Sequence, residues 1–231
     1  MFYKDWEPIY KKISEDFDFS TEKEEQSADL LNKILREKKH LSIKKLEELI
    51  NNKDAIVFGA GPSLETSITI HKKDFINKLK IAADGATTAL LKNNICPDII
   101  VTDLDGNVSD QIKANSMGSI VVIHAHGDNI EKIKKYVAKF NDEIIGTTQI
   151  NPGPYEHVNN FGGFTDGDRA AFLATHFNAK EISLIGFDFD GKIGRYSFSK
   201  NKDKNLKLKK LKWCKGLIEL LRESKQNIHQ F

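Results

Sequence analysis

Two aspartates lie two residues apart, directly after a short apolar segment, in the sequence DIIVTDLDG. Asp103 and Asp105 would repel each other at the end of a buried strand unless a cation shared them. Mg²⁺ suits such a pair, because it takes oxygen ligands and is usually completed by waters and the phosphates of a substrate. A turn with an aspartate that caps a helix is the alternative. Because Asp84 and Asp128 are expected at neighbouring strand ends, we favour the metal site.

A glycine-containing turn, GAGPS, follows the first apolar segment and precedes a helical stretch. Pro62 suits the first position of a helix, and free N–H groups at such a helix start can bind phosphate. We therefore take Gly59, Gly61, Pro62 and Ser63 as candidates for nucleotide binding. The sequence lacks the Walker lysine and the complete GxGxxG, so a tight strand-to-helix turn remains an open alternative.

The segment GGFTDGDR leads into a second candidate helix, AAFLATHF. Thr165 or Asp166 can cap that helix, and the preceding glycine pair permits close approach of a ligand. Arg169 in the first turn opposes the helix dipole unless it meets an anion. We expect Thr165, Asp166 and Arg169 to contact a nucleotide, with simple helix capping as the alternative.

The motif HAHGDN follows another apolar segment and resembles the HxHxDH metal site of metallo-β-lactamase-like hydrolases. Its last position is Asn129, and no clear set of further histidine ligands follows, which disfavours a zinc hydrolase. We expect His124 to be buried in a strand, and His126 and Asp128 to face a cleft.

Positive charge is concentrated near the C-terminus. Residues 192–231 hold 12 Lys or Arg against 3 Asp or Glu, a local charge of +9 that leaves −7 on the rest of the chain. Lysines of the run KDKNLKLKKLKWCKGL, Lys209 among them, are predicted to fold over the phosphates of a nucleotide. A solvated helix face is the alternative. The acidic remainder and the scarcity of aromatic residues in this run, where Trp213 stands alone, argue against a nucleic-acid-binding module.

Six apolar, β-branched segments alternate with helix-length stretches after residue 54, as is typical of strands covered on both faces by helices. The sequence therefore predicts a doubly wound, mostly parallel, Rossmann-like α/β fold. In such sheets ligands bind at the carboxyl ends of the strands, where the candidate residues above are found. Residues 1–50 read as a helical extension, with a capping box of Thr21 and Glu24, and residues 51–231 as the α/β catalytic domain.

Composition excludes several other classes. The chain of 231 residues has no run approaching about 20 consecutive apolar residues, so we expect no membrane span. Its N-terminus lacks the apolar segment of a secretory signal, which favours a cytoplasmic location. Cys96 and Cys214 form no CxxC pair and predict neither a disulfide framework nor a cysteine zinc site.

Five motifs in this order, ADGA, PDIIVTDLDG, HAHGDN, GGFTDGDRA and GFDFDGKIGRYS, resemble the archaeal 6-hydroxymethyl-7,8-dihydropterin pyrophosphokinase family over about residues 54 to 220. That family is itself similar to the catalytic domain of thiamine pyrophosphokinase. The resemblance implies transfer of the terminal diphosphate of ATP to the hydroxymethyl group of a reduced pterin, with release of AMP. The partners would be ATP and the pterin, without nucleic acid or membrane, and a homo-oligomer is a possible assembly.

Mapped onto this chain, the resemblance implies Mg²⁺ ligands at Asp103, Asp105 and Asp128, with Asp84 orienting the metal shell or the acceptor. Asp84 or His126 would take the acceptor proton, a choice that the sequence leaves open. The motif HGDN stands where thiamine enzymes have TDF, and no C-terminal β-sandwich is visible, so a pterin acceptor is favoured over thiamine. A nucleotide-sugar glycosyltransferase, which also uses a DxD metal motif, is the rival enzyme class.

Overall fold

The computed structural model describes residues 3–197, 204–225 and 227–231. Within them, eight strands form a single sheet in the order β6-β5-β4-β3-β2-β1-β7-β8, and every neighbouring pair is parallel. The strands are β1 (Asp54–Phe58), β2 (Leu79–Ala83), β3 (Ile99–Thr102), β4 (Ile120–Ala125), β5 (Ile144–Thr148), β6 (Val158–Asn159), β7 (Glu181–Ile185) and β8 (Ile228–Gln230). The doubly wound parallel fold predicted from the sequence is confirmed.

Helices cover both faces of the sheet. They are α1 (Tyr3–Phe17), α2 (Thr21–Glu37), α3 (Ile43–Ile50), α4 (Leu64–His71), α5 (Ala86–Lys92), α6 (Val108–Ser116), α7 (Ile130–Tyr136), α8 (Asp166–His176) and α9 (Lys204–Ser224), with 3₁₀ turns at Lys72–Phe75 and Val137–Lys139. No helix in the described part of the chain combines the length and apolarity that crossing a membrane requires.

The N-terminal helices divide between the two faces of the sheet. Trp6 of α1 packs with Val57 and with Phe172 of α8 in one core layer, where the Trp6 and Phe172 rings meet edge to face at 5.9 Å. Leu31 and Leu35 of α2 pack on the opposite face, against strands β3 to β5. The described part of this segment, residues 3–50, therefore forms three helices, as predicted, and contributes to both core layers of the α/β fold.

The start of α2 differs from the predicted capping box. Ser20 is the residue before the helix, and its hydroxyl accepts the N–H of Lys23 at 3.4 Å. Glu24, the expected partner of Thr21, is only 3% exposed and turns inward to the loops at the carboxyl ends of β4 and β5. Ser20 therefore supplies the local cap, and Glu24 binds tertiary partners instead of taking part in a capping box.

The strand order reverses between β1 and β7, and the loops that leave these two strands touch. Gly61 donates its N–H to the carbonyl of Gly186 at 2.9 Å. A Cβ atom on Gly61 would lie 2.5 Å from that carbonyl oxygen and 2.2 Å from a carboxylate oxygen of Asp188. Only glycine permits this approach, which leaves a cleft at the switch point where open α/β sheets bind ligands.

Candidate active site

A cavity of about 610 Å³ opens at the carboxyl ends of the strands. Its floor comes from the residues that follow β1 to β4, and its walls come from the start of α8, the loop after β7 and the first turns of α9. Residues that could carry chemistry line it together: Gly59, Gly61, Asp84, Asp103, Asp105, His126, Asp128, Lys132, Thr165, Asp166, Arg169, Asp188, Lys192, Lys207 and Lys210. The structure thus brings most of the predicted site residues to one place.

Three carboxylates converge at the floor of this cavity. Asp84 follows β2, Asp103 follows β3 and Asp166 begins α8, and one oxygen from each lies within 4.8 Å of the other two. We call these three residues the acidic cluster. In residues 3–197, 204–225 and 227–231 it is the one group of three or more His, Cys, Asp or Glu close enough to share a metal ion. Asp103 belongs to the predicted ligand set, whereas the sequence suggested other roles for Asp84 and Asp166.

Asp84 is held in place by hydrogen bonds to one of its oxygens. Its Oδ1 accepts from the hydroxyl of Thr102 at 2.8 Å, the N–H of Gly106 at 3.0 Å and the amide of Gln111 at 2.8 Å. Burial and the neighbouring charge of Asp103 raise the pKa of Asp84 to about 6. Ionised Asp84 is therefore costly in the protein alone, and a cation beside it would relieve that cost.

Neighbouring side chains compensate the negative charge of Asp103 more fully than that of Asp84. Its Oδ1 accepts the N–H of Asp105 at 3.0 Å, and its Oδ2 lies 3.4 Å from Nε2 of His126. Nδ1 of His126 accepts the N–H of Asp128 at 3.3 Å, so the neutral ring carries its proton on Nε2, facing Asp103. Burial opposes ionisation of Asp103, but His126, Arg169 and Lys210 outweigh it and hold its pKa well below the usual range.

Asp166 forms an ion pair with the buried Arg169, 3.1 Å from the guanidinium. Burial, followed by the charge of Asp103, nevertheless raises the pKa of Asp166 well above its ordinary value. The other end of the guanidinium donates to Oε1 of Gln149 at 3.2 Å. Gly163 lets the loop before α8 pass close to the backbone of Arg169 in the first turn of that helix. Its φ is +90°, and a Cβ atom there would lie 2.6 Å from Cα of Arg169. Arg169 thus lines the cavity while bound to protein groups.

Thr165 acts as the cap of α8. Its N–H and its hydroxyl both donate to the carboxylate of Asp168, the hydroxyl at 2.6 Å. The capping alternative raised by the sequence therefore describes the local role of Thr165, which also lines the cavity. Burial raises the pKa of Asp168, which is fully enclosed behind the helix start.

Two of the predicted metal ligands lie outside the acidic cluster. Asp105 forms an ion pair with Lys132 of α7, so its charge is compensated within the protein. Asp128 is exposed on the loop after β4 and lines the rim of the cavity. Both line the same cavity as the cluster, but neither belongs to the group of carboxylates close enough to share one ion.

The predicted phosphate site at the GAGPS turn already holds an anion from the protein. The N–H and the hydroxyl of Ser63 donate to Oδ2 of Asp188 at 3.0 and 2.9 Å. Gly59 and Gly61 line the cavity, whereas Pro62 and Ser63 are not among its lining residues. The turn therefore supplies backbone to the cavity wall, and its helix start is occupied by a carboxylate.

The lysines of α9 divide between two faces. Lys209 forms an ion pair with Asp16 at 2.8 Å and lies 4.7 Å above the ring of Phe17, outside the cavity lining. Lys207 and Lys210 line the cavity in its place. Lys207 and Lys210 are three residues apart and lie on one face of the helix, whereas Lys209 is directed to Asp16 at the end of α1.

Two buried polar residues of the HAHGDN motif support the site from behind. Asn129 donates to the backbone carbonyls of Asp103 at 2.9 Å and His124 at 2.6 Å, and so ties the end of β3 to the end of β4. His124 is buried as predicted, with Nδ1 3.1 Å from the hydroxyl of Thr147, and burial lowers its pKa well below the ordinary value. The asparagine that disfavoured a zinc hydrolase is thus a structural link.

Comparison with known proteins agrees with the motifs. The model of the family described as "6-hydroxymethylpterin diphosphokinase MptE-like" matches residues 28–194, which include the whole acidic cluster. The chain belongs to this family. The resemblance indicated by the motifs is therefore confirmed.

Curated relatives of the MptE-like family share most of the chain. The 6-hydroxymethyl-7,8-dihydropterin pyrophosphokinase of Methanocaldococcus jannaschii is 46% identical over 95% of this chain and 95% of that protein. The protein of the same name from Pyrococcus furiosus is 44% identical over 97% and 96%, respectively. A third, from Methanothermobacter thermautotrophicus, is 46% identical over 83% and 81%.

Proposed function

We propose that this protein transfers the terminal diphosphate of ATP to the hydroxymethyl oxygen of 6-hydroxymethyl-7,8-dihydropterin and releases AMP. The observation that carries the proposal is the acidic cluster at the floor of a cavity, in a chain that belongs to the pterin diphosphokinase family. The names of the relatives support the acceptor and the type of reaction.

The acidic cluster fits a magnesium ion. All its donors are carboxylate oxygens, the ligands that Mg²⁺ prefers, and burial together with the neighbouring charge of Asp103 raises the pKa values of Asp84 and Asp166, a cost that a cation would relieve. We propose that Asp84, Asp103 and Asp166 hold the ion. When bound, Mg²⁺ would supply positive charge to the phosphate oxygens of the nucleotide.

Cationic side chains around the cluster complete a binding site for a polyphosphate. Lys210 stands 5.8 Å above the ring of Phe164 on one wall, and Lys192 lies on the loop after β7. Arg169 is held by Asp166 and Gln149 beside the floor. Positive charges beside the cavity stabilise the charge that spreads over the transferred group, and we assign phosphate contacts to these three residues.

The chain's part in the reaction is mainly positioning. The pterin hydroxymethyl oxygen forms a bond to the β-phosphorus as the bond from that phosphorus to the α,β-bridging oxygen breaks, so AMP leaves with that oxygen, and the hydroxyl proton passes to water. Such a transfer depends on alignment and charge more than on a strong base. Nδ1 of His126 accepts the N–H of Asp128 and Nε2 lies 3.4 Å from Asp103, and we propose that His126 orients Asp103 and does not take the proton.

Apolar side chains supply walls for planar rings. Phe19, Phe164, Phe187, Phe189 and Tyr196 all border the cavity. Aromatic faces bury flat heterocycles with little loss of conformational freedom, and a mixed site of apolar walls and few charged groups is typical of small-molecule enzymes. Both adenine and pterin rings can be covered in this way.

The proposal is tested by incubating the protein with ATP, Mg²⁺ and the reduced pterin, and following AMP and pterin diphosphate by chromatography. We expect the two products in equal amounts from the parent and from Asp142→Asn, an exposed control on the far surface. Asp84→Asn should form neither. Formation of ADP instead of AMP would contradict diphosphate transfer. In parallel reactions, AMP formed only with thiamine in place of the pterin would reassign the acceptor, and turnover of a nucleotide sugar would favour the glycosyltransferase.

A further inference from the structure

Glu24 of α2 is a buried carboxylate that the proposed chemistry does not use. It is 3% exposed, and its two oxygens accept the N–H of Gly127 and the Nε2 amide of Gln149, each at 3.0 Å. Both donors are neutral. Burying a carboxylate that has only neutral donors costs free energy. Glu24 therefore serves to hold the segments that carry the two donors.

The first oxygen of Glu24 holds the loop after β4. Gly127 lies between His126, whose ring faces Asp103, and Asp128, whose N–H fixes that ring. One turn further along α2, the hydroxyl of Ser27 donates to Asn129 at 3.2 Å, at the other end of the same loop. A Cβ atom on Gly127 would lie 2.9 Å from the side chain of Lys23, so the loop and the helix are in close contact. Helix α2 thus sets the position of His126.

The second oxygen of Glu24 sets the orientation of the Gln149 amide. An ionised carboxylate only accepts hydrogen bonds and a guanidinium only donates them, so Nε2 of Gln149 must face Glu24 and Oε1 must face Arg169. The indole of Trp6 fixes the backbone of the same residue, with its Nε1 donating to the Gln149 carbonyl at 3.1 Å. The relay Glu24–Gln149–Arg169 therefore ends at Asp166, 3.1 Å from the guanidinium.

We propose that Glu24 is a positioning residue for the pterin diphosphokinase reaction. It places His126 against Asp103 through the loop after β4, and it places Arg169 against Asp166 through Gln149. One residue of the N-terminal helical segment, outside residues 28–194 that match the family model, thereby orients two of the three members of the acidic cluster. The inference rests on the proposed function, because it takes the cluster as the metal site.

The substitution Glu24→Gln tests the proposal with little change of shape. An amide has one acceptor oxygen, so it can satisfy Gly127 or Gln149 but not both. We expect kcat to fall about tenfold and Mn²⁺ affinity, measured by calorimetry without substrates, to weaken by about the same factor. KM for ATP and pterin should change less than kcat. Glu25→Gln, exposed at the next position of α2, is the matched control and should resemble the parent.

A double exchange separates positioning from folding. In E24Q/Q149E, each contact again joins a donor to an acceptor: Gly127 to the new amide, that amide to the new carboxylate, and Arg169 to the carboxylate. We expect the double variant to recover kcat and Mn²⁺ affinity to within about threefold of the parent, as coupled residues do in a double-mutant cycle. Melting temperatures recorded without metal report stability separately.

The measurements distinguish a positioning role of Glu24 from a purely structural one. Parent-like kcat and Mn²⁺ affinity in Glu24→Gln would overturn the proposal, as would a lowered melting temperature with unchanged Mn²⁺ affinity, which indicates a structural role alone. A double exchange no better than Glu24→Gln would also overturn the relay. If the parent shows no pterin diphosphokinase activity while Glu24→Gln still weakens Mn²⁺ binding, the proposed function fails and the positioning role stands.

Discussion

The acidic cluster lies at the same edge of the sheet as the two loops that leave β1 and β7 and touch each other, which we call the β1–β7 crossing. The two regions differ in how far the protein compensates negative charge. At the crossing, the carboxylate of Asp188 is met by the N–H and hydroxyl of Ser63, so the protein supplies both the anion and its donors. In the acidic cluster, Asp84 and Asp166 retain raised pKa values because burial and the charge of Asp103 are not fully compensated.

This difference distinguishes a pair of loops held together by their own side chains from the proposed metal site. Where donors and acceptors satisfy one another, glycines such as Gly61 serve the close packing of two loops. Where carboxylates are brought together at a cost, as in the proposed metal site, an external cation would make the arrangement favourable. Both regions carry residue types that suggest ligand binding, and only the balance of partners around them tells the two apart.

Among the variants that test this difference, Asp103→Asn should cause the largest loss of activity. Asp103 is the member of the cluster that the protein keeps ionised, so removing its charge should lower kcat/KM by at least about a hundredfold, as expected for the loss of several kcal/mol of metal-assisted stabilisation. Asp105→Asn should lose less, because Asp105 is already paired with Lys132. Steady-state kinetics with chromatographic detection measure both. An equal loss in the two variants would return Asp105 to the metal site.

Asp188→Asn tests the other region. Loss of hydrogen bonds from Ser63 to a charged acceptor should lower the free energy of unfolding by about 1–3 kcal/mol. Mn²⁺ affinity should stay at the parent value, since Asp188 does not belong to the cluster. Urea denaturation and calorimetry give the two quantities. Lost Mn²⁺ binding with parent-like stability would make the crossing part of the metal site.

The pH dependence of stability sharpens the comparison further. A carboxyl whose pKa is raised on folding stabilises the folded state while it is protonated, and this contribution is lost as the pH rises from 3.8 towards about 6. Asp103 does not titrate in this window, because its pKa is lowered. The melting temperature of the metal-free parent should therefore fall across this window relative to that of Asp84→Asn, and added Mg²⁺ should reverse the trend. Parallel melting curves for the two proteins would argue against an uncompensated Asp84.

The smallest effect is expected on α9. Lys209→Ala removes a surface ion pair with Asp16 and should lower the melting temperature by no more than about 4 °C, without changing KM for ATP. Lys210→Ala, one residue along and facing the cavity, should raise KM for ATP several-fold. Titrations of ATP with both variants make the comparison. If Lys209→Ala raised KM as much as Lys210→Ala, the two faces of the helix would be wrongly assigned.

Much of the fold follows from local patterns in the sequence. The six apolar segments predict strands β1 to β5 and β7, because β-branched runs bounded by glycine and aspartate are a local signal. Strands β6 and β8 were not predicted, since two and three residues at the sheet edges are too short to show a pattern. The motifs also identified the family and placed Asp84, Asp103 and Asp166 at the ends of the correct elements.

Which side chains meet was decided by the tertiary structure. The sequence by itself determined where strands end in aspartate, because the change from apolar run to turn is encoded in neighbouring residues. It did not determine that Asp166 of α8 would join Asp84 and Asp103, that Asp188 would occupy the start of α4, or that Glu24 would turn inward. Those contacts join residues far apart along the chain, and their geometry depends on how helices and loops pack across the sheet.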